Sequence, residues 1–132
     1  MSLKPINPES LGRPRGYSNG VLAPKGARLL FIAGQVAWDA RQQIVSDDFA
    51  EQFERALRNV LAVVGEAGGT SESIARLVIY VTDKREYIAR TEEIGERWRG
   101  LMGKHYPAMA LVEVKSLLDD AAKVEIEGIA AL

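Results

Sequence analysis

The chain alternates between stretches with the hydrophobic pattern of β-strands and stretches with that of α-helices. Apolar runs rich in β-branched residues predict strands at 28–34, 74–82, 106–118 and 123–132. Segments 16–22 and 36–39 are weaker strand candidates. The last two runs flank a short acidic break at 119–122, and this spacing is typical of paired or neighbouring strands.

Two segments have helical periodicity with a single apolar stripe each. The first, 48–67, follows a capping residue at Asp47 or Asp48 and ends before two glycines. The second, 84–101, follows Asp83 as its cap. The order is β-β-(β)-α-β-α-β-β. It predicts an α+β fold, with one mixed sheet and both helices packed on one face.

Alternation assigns the side chains of the last two strands to faces. In the first run Met109 and Leu111 share a face, and in the second Glu125 and Glu127 share one. We expect Met109, Leu111 and the region around Trp38 to form an apolar patch on the sheet face away from the helices. A second subunit would then cover that patch.

Composition narrows the class of protein. A chain of 132 residues predicts a single domain, with residues 1–15 as an extended N-terminal arm. The net charge of −1 offers no basic field for nucleic acid, and no segment predicts a membrane span or a signal peptide. With no cysteine and one histidine, we expect no metal site and no cofactor. A cytoplasmic location is the expectation.

Few residues remain as candidates for chemistry. One of Glu125 and Glu127 could hold a water as general acid or base, although an exposed strand edge would also place them in solvent. The Tyr17 hydroxyl could meet a ligand or pack in the core. Gln35, after Gly34, could bind a ligand or a neighbouring loop, and Trp38 could wall a pocket or fill an interface.

An ordered set of short segments resembles the Rid family, the reactive-intermediate deaminases. The resemblance covers nearly the whole chain, from about residue 14 to residue 131. It is carried by 16–18 (Gly-Tyr-Ser), 31–35 (Phe-Ile-Ala-Gly-Gln), 59–60 (Asn-Val), 67–68 (Ala-Gly), 80–83 (Tyr-Val-Thr-Asp), 106–108 (Tyr-Pro-Ala) and 124–130 (Val-Glu-Ile-Glu-Gly-Ile-Ala).

The resemblance implies a chorismate-mutase-like fold and a homotrimer with ligand clefts between subunits. Active members hydrolyse enamines and imines, such as 2-aminoacrylate, to keto acids and ammonia without a cofactor. The resemblance assigns Glu125 to the glutamate that positions water, and it retains Tyr17 and Gly34. Met109 stands where active members have the arginine that binds the substrate carboxylate.

Further departures make the expected cleft more apolar. Leu111 replaces a cysteine, Ala33 a serine or threonine, and Glu92 an asparagine. We therefore expect a trimer with a small-molecule cleft, in which Gly34, Gln35, Trp38, Met109 and Leu111 contact the ligand and Glu125 and Tyr17 are catalytic. Any chemistry would act on an imine or enamine with an uncharged or aromatic group, and 2-aminoacrylate would be a poor substrate. The alternatives are a non-catalytic metabolite-binding or regulatory trimer and, with less support, a ribonuclease.

Overall fold

A computed structural model describes residues 2–132. Its helices and strands, in chain order, are β1 (Lys4–Ile6), β2 (Gly20–Leu22), β3 (Leu29–Gln35), α1 (Phe49–Glu66), β4 (Ile74–Val81), α2 (Lys84–Ala89), α3 (Thr91–Met102), β5 (Ala108–Glu113) and β6 (Val124–Ala131). β1 pairs with β2 as a separate ribbon, so the N-terminal arm contributes a short strand. The segment after β3 forms only an isolated bridge, Trp38 to Ile44, and is not a strand.

The main sheet has four strands in the order β3-β6-β4-β5. β6 runs antiparallel to both its neighbours, whereas β4 and β5 run parallel. The sheet is therefore mixed, as predicted. The expectation that the last two strands neighbour each other is wrong, because β4 lies between β5 and β6. The acidic break at 119–122 belongs to a connection that crosses β4 rather than to a hairpin.

Both long helical segments pack on the same face of the sheet, which confirms the predicted α+β architecture. Asp48 caps α1 by accepting a hydrogen bond from the Glu51 backbone N–H at 3.0 Å. Asp83 caps α2 by accepting a hydrogen bond from the Arg85 backbone N–H at 3.0 Å. The fully buried side chains of Phe49, Phe53 and Leu57 form the inner stripe of α1.

The second predicted helix is interrupted. Arg90 leaves the helical conformation, with φ −127° and ψ 27°, and so separates α2 from α3. Its guanidinium contacts the Asp48 carboxylate at 2.6 Å and the Glu93 carboxylate at 2.7 Å, and it thereby joins the break to the start of α1. Neither glycine nor proline marks this position, so the periodicity of 84–101 predicted one continuous helix.

The side chains of Met109 and Leu111 on β5 lie on the opposite face of the sheet from the one that the sequence predicted. Met109 pairs in register with the buried Leu77, and Met109 and Leu111 pack against the core beneath the helices. They do not form the outward patch that the sequence predicted. Other residues make the outward face apolar: Leu29 is 57% exposed and Phe31 is 72% exposed. An uncovered apolar face is therefore present, but β3 supplies most of it.

A buried glutamine fixes the connection that leads into β6. The Gln52 side chain on α1 is fully buried. Its amide nitrogen donates to the carbonyls of Ser46 at 2.8 Å and Ala121 at 2.9 Å, and its oxygen accepts from the Lys123 N–H at 2.8 Å. These bonds hold the chain immediately before Glu125 against α1. Among residues 2–132, no helix is long and apolar enough to cross a membrane.

Candidate functional site

Gly34 and Glu125 are the two predicted site residues that the fold brings into direct contact. They lie on the paired strands β3 and β6, beside a register shift between Ile32 and Gln35. A Cβ placed on Gly34 would stand 2.5 Å from Oε2 of Glu125. Glycine is therefore the residue that lets the carboxylate lie across the backbone of β3.

The two glutamates of β6 have different surroundings, although both point to the outward face. The Glu127 carboxylate accepts a hydrogen bond from the Tyr80 hydroxyl on β4, and this bond raises the pKa of Tyr80. The hydrogen bonds within residues 2–132 leave the Glu125 carboxylate without a protein partner. Glu125 is half-buried. Of the two, Glu125 is the one available to hold a water or a ligand.

Gln35 and Trp38 lie beyond Gly34, at the end of β3. The Gln35 side-chain amide donates to the carbonyl of Ala33 at 3.0 Å. The backbone around Trp38 is held by Asn59 on α1, whose amide donates to the carbonyls of Val36 and Trp38, each at 3.0 Å. In this arrangement Gln35 stabilises its own strand end, and Trp38 marks where the chain leaves the sheet.

Tyr17 lies at the opposite edge of the sheet, beside β5. The next residue, Ser18, donates its N–H to the Pro107 carbonyl at 3.0 Å and its hydroxyl to the Tyr106 carbonyl at 2.5 Å. Ser18 also forms a parallel bridge with Ala108. These bonds place Tyr17, which is 39% exposed, next to the start of β5.

Met109 lines a cavity of about 250 Å³ between the start of β5 and the helices. Aromatic side chains form much of its wall: Phe53, Tyr87, Trp98 and Tyr106. The rings of Trp98 and Tyr106 are stacked, with centroids 6.2 Å apart and planes 7° from parallel. Burial among these side chains raises the pKa of Tyr87. Leu111 lies two residues further along the same face of β5 and packs against the core.

The predicted site residues therefore form two groups on opposite faces of the sheet. Met109 is in register with Leu77, whose side chain points toward the helices, whereas Glu125 is in register with Tyr80 on the outward face. Strand β4 also separates the two groups along the sheet. Within one chain, Met109 and Glu125 cannot contact the same small ligand.

The sequence matches the family model described as Endoribonuclease L-PSP over residues 9–132. The chain belongs to this family. A RutC family protein of Pyrococcus abyssi is 30% identical over 132 residues, which cover 98% of this chain and 98% of that protein. A crystal structure of YyfB, a Rid family protein of unknown function from Yersinia pestis, matches with a TM-score of 0.88 and 32% identity over 100% of both chains.

These matches confirm the predicted resemblance to the Rid family. A human relative named 2-iminobutanoate/2-iminopropanoate deaminase is 26% identical over 115 residues, which cover 86% of this chain and 78% of the human protein. The Rid member described here carries Met109 at the start of β5, on the helix side of the sheet.

Two further residues line the β5 cavity, Arg15 and Arg99, and the sequence patterns predicted a role for neither of them. Arg15 lies in the segment assigned to the N-terminal arm, and nothing local links that segment to β5. Arg99 directly follows Trp98, at the border of the apolar stripe of α3. A cation beside an aromatic residue of the buried stripe, one turn after Gly95, is the signal that could have indicated Arg99.

Proposed function

We propose that this protein is a Rid-type hydrolase that converts imines or enamines to carbonyl compounds and ammonia in a cleft between subunits. The observation that carries the proposal is the Glu125 carboxylate, which lies across Gly34 on the outward face and has no hydrogen-bond partner within residues 2–132. Membership of the family and the human imine deaminase among the relatives support the same reaction class.

The chemistry needs one carboxylate and one water. Glu125 accepts a proton from the water as the water oxygen adds to the carbon of the protonated imine, which gives a neutral carbinolamine. The protonated carboxyl then returns this proton to the nitrogen. As the C–N bond breaks and ammonia leaves, the Glu125 carboxylate accepts the hydroxyl proton of the carbinolamine, so that a C=O group forms, and it then passes this proton to ammonia or solvent. An enamine enters this sequence after protonation at carbon gives the protonated imine. No electrons are transferred to or from another group, so a redox cofactor is not required.

A homotrimer supports a complete site because it would bring the two groups of residues together. Met109 and Glu125 lie on opposite faces of one sheet, so a shared ligand needs each from a different chain. The exposed apolar face that includes Phe31, which is 72% exposed, supports burial of that face against another copy. Tyr17, beside β5, would join the side of the cleft that contains Met109.

The proposed substrate has an aromatic or otherwise apolar group. Met109 and the stacked pair of Trp98 and Tyr106 offer apolar contact in the β5 cavity. A substrate as small as 2-aminoacrylate leaves these contacts unused.

The decisive experiment is the release of ammonia from a panel of freshly generated imines that range from small to aromatic. We expect faster release than in buffer for the aromatic members, and loss of that acceleration in Glu125→Gln. The matched control is Glu127→Gln, on the same face of β6, which should retain more activity because Glu127 is engaged by Tyr80. No acceleration with any imine would contradict catalysis and favour a metabolite-binding or regulatory trimer.

A ribonuclease is the remaining alternative, and the family description carries that word. The charge of the chain does not support it, since the net charge is −1. Several arginines, including Arg58, Arg85 and Arg97, pair with carboxylates. Submicromolar RNA binding that weakens steeply with salt would overturn this expectation.

A further inference from the structure

We propose that Arg15 and Arg99 form an anion-binding rim on the aromatic cavity of β5, which therefore takes a small monoanion with an apolar or aromatic body. A carboxylate would lie against the two guanidinium groups and the body of the ligand against Trp98, Tyr106 and Met109. The proposal deepens the proposed function, because it names the acidic group of that site's substrate. Binding of the anion does not itself depend on catalysis.

The cavity wall is built to be rigid. Trp98 is only 6% exposed, and its indole N–H donates to the His105 carbonyl at 3.2 Å. Its ring stacks on Tyr106, whose own carbonyl accepts the Ser18 hydroxyl. A wall fixed at both ends by hydrogen bonds keeps its shape on binding and loses little conformational entropy.

The charge of the lining is one-sided. The residues that line the cavity include Arg15 and Arg99 and no aspartate or glutamate. Within residues 2–132, neither of these two arginines forms a salt bridge. By contrast, two arginines of the same helical segment as Arg99, Arg90 and Arg97, are paired with carboxylates. Two cations beside one apolar cavity, with no protein counter-ion, favour an anionic ligand.

Gly95 gives the Arg99 guanidinium its place above the cavity. A Cβ on Gly95 would lie 3.2 Å from Nη1 of Arg99, so the guanidinium packs directly over this glycine. Gly95 is in the interior of α3, where glycine destabilises a helix relative to alanine. At this position the missing side chain leaves space for Arg99 to fold back along the helix.

Strand β5 itself contributes no arginine to the cavity. Met109 contributes no charge to the cavity, but it lines the same space as Arg15 and Arg99. The guanidinium groups thus come from the N-terminal segment and from α3, instead of from the strand. Because they border the cavity and Met109 forms part of its wall, a bulky apolar ligand with a terminal acid fits better than a minimal one.

The test compares 3-phenylpropionate with its neutral amide, 3-phenylpropionamide, on the wild-type protein by calorimetry. The two probes have nearly the same shape and differ in charge. We expect the acid to bind at least about tenfold more tightly than the amide, with an affinity that falls as salt rises. Equal affinity, or no binding of either probe, would overturn the proposal.

Variants assign the effect to the rim. Arg99→Gln and Arg15→Gln should each weaken binding of the acid by about tenfold and leave the affinity for the amide unchanged. The matched control is Arg58→Gln, which removes an arginine of α1 outside the cavity and should change neither affinity. Gly95→Ala should stabilise α3, because alanine favours the helix more than glycine does. It should also weaken binding of the acid, because the added methyl group displaces the Arg99 guanidinium. If both rim variants bind the acid as tightly as the wild type does, the proposal that Arg15 and Arg99 bind the anion is wrong.

The outcomes separate this proposal from the proposed function. Charge-dependent binding of the acid without ammonia release from any imine would support the rim and reject the hydrolase. Ammonia release that depends on Glu125 but not on Arg15 or Arg99 would support the hydrolase and reject the rim.

Discussion

Gly34 and Glu125 are in such close contact that any side chain at position 34 would occupy the place of the carboxylate. A Cβ at Gly34 would lie 2.5 Å from Oε2 and 2.7 Å from Cδ of Glu125. Because the carboxyl group is at the end of a flexible side chain, the clash would move the carboxylate rather than the sheet. The contact therefore couples the identity of residue 34 to the position of the proposed base.

The first prediction follows from this contact. Gly34→Ala should lower kcat/KM for imine hydrolysis by at least about tenfold, because it shifts the carboxylate from the water it holds. The midpoint of thermal unfolding should change little, since residue 34 is exposed. Gly100→Ala is the matched control, because a Cβ there meets nothing within 4 Å. Full activity in Gly34→Ala would show that Glu125 is not the base.

Local patterns in the sequence were sufficient to predict α1 and the two faces of β6. The apolar stripe and caps predicted α1 to within a residue at each end, since a long amphipathic helix carries both signals along its own sequence. Alternation correctly placed Glu125 and Glu127 on one face of β6, and the structure buries Val124 and Ile126 on the opposite face. The contact of Gly34 with Glu125 then depends only on which strands pair.

The strand order, the face on which Met109 lies and the position of Arg15 depend on long-range packing. The insertion of β4 between β5 and β6 is not encoded in either run, so the pairing of the last two strands was predicted wrongly. Alternation predicted which residues share a face of β5 with Met109, but it did not predict which face of β5 meets the helices. Arg15 lies at the β5 cavity near Ser18, whose hydroxyl donates to the Tyr106 carbonyl just before β5, a contact across 88 residues.

The second prediction concerns assembly. Light scattering of the purified protein should give about three times the chain mass of 14.5 kDa. Phe31→Glu should dissociate the assembly, because it places a charge on the apolar outward face, where Phe31 is 72% exposed. Leu118→Glu, in the loop before β6, is the control and should remain a trimer. A wild type that is monomeric at micromolar concentration would contradict both the trimer and the site between subunits.

The third prediction concerns the ion pairs at the break between α2 and α3. Hydrogen bonds from Arg90 hold the pKa of Asp48 below its ordinary value of 3.8 and also lower the pKa of Glu93. A carboxyl whose pKa is lowered on folding stabilises the fold above its unfolded pKa and loses that contribution as the pH falls through the folded value. Arg90→Gln should therefore be less stable than the wild type at pH 7, and the difference should shrink toward pH 3.

Urea unfolding at pH 7, 5 and 3 measures this difference. Arg41→Gln, in the turn after β3, serves as the control because Asp48 and Glu93 do not contact Arg41. A deficit in Arg90→Gln that stays constant down to pH 3 would mean that Arg90 acts through packing rather than through its ion pairs.

The last prediction tests the position of Met109. The wild type should hydrolyse 2-aminoacrylate hardly faster than buffer does, because this small substrate leaves the aromatic wall unfilled and finds no arginine on β5. Met109→Arg should restore part of the rate. A charge-assisted pair with a carboxylate is worth roughly 1.5–3 kcal/mol, and this corresponds to about tenfold to a hundredfold in kcat/KM.

The partly buried site imposes a limit on that gain, because the new guanidinium must extend toward the mouth of the cavity to remain solvated. Met109→Leu is the uncharged control and should stay inactive on 2-aminoacrylate. Glu125→Gln in the Met109→Arg background should remove the gain, since the anchor and the base act on one substrate from opposite sides of the cleft. A wild type that already deaminates 2-aminoacrylate as efficiently as Met109→Arg would show that residue 109 is not the anchor position, and the proposed placement of the site would be wrong.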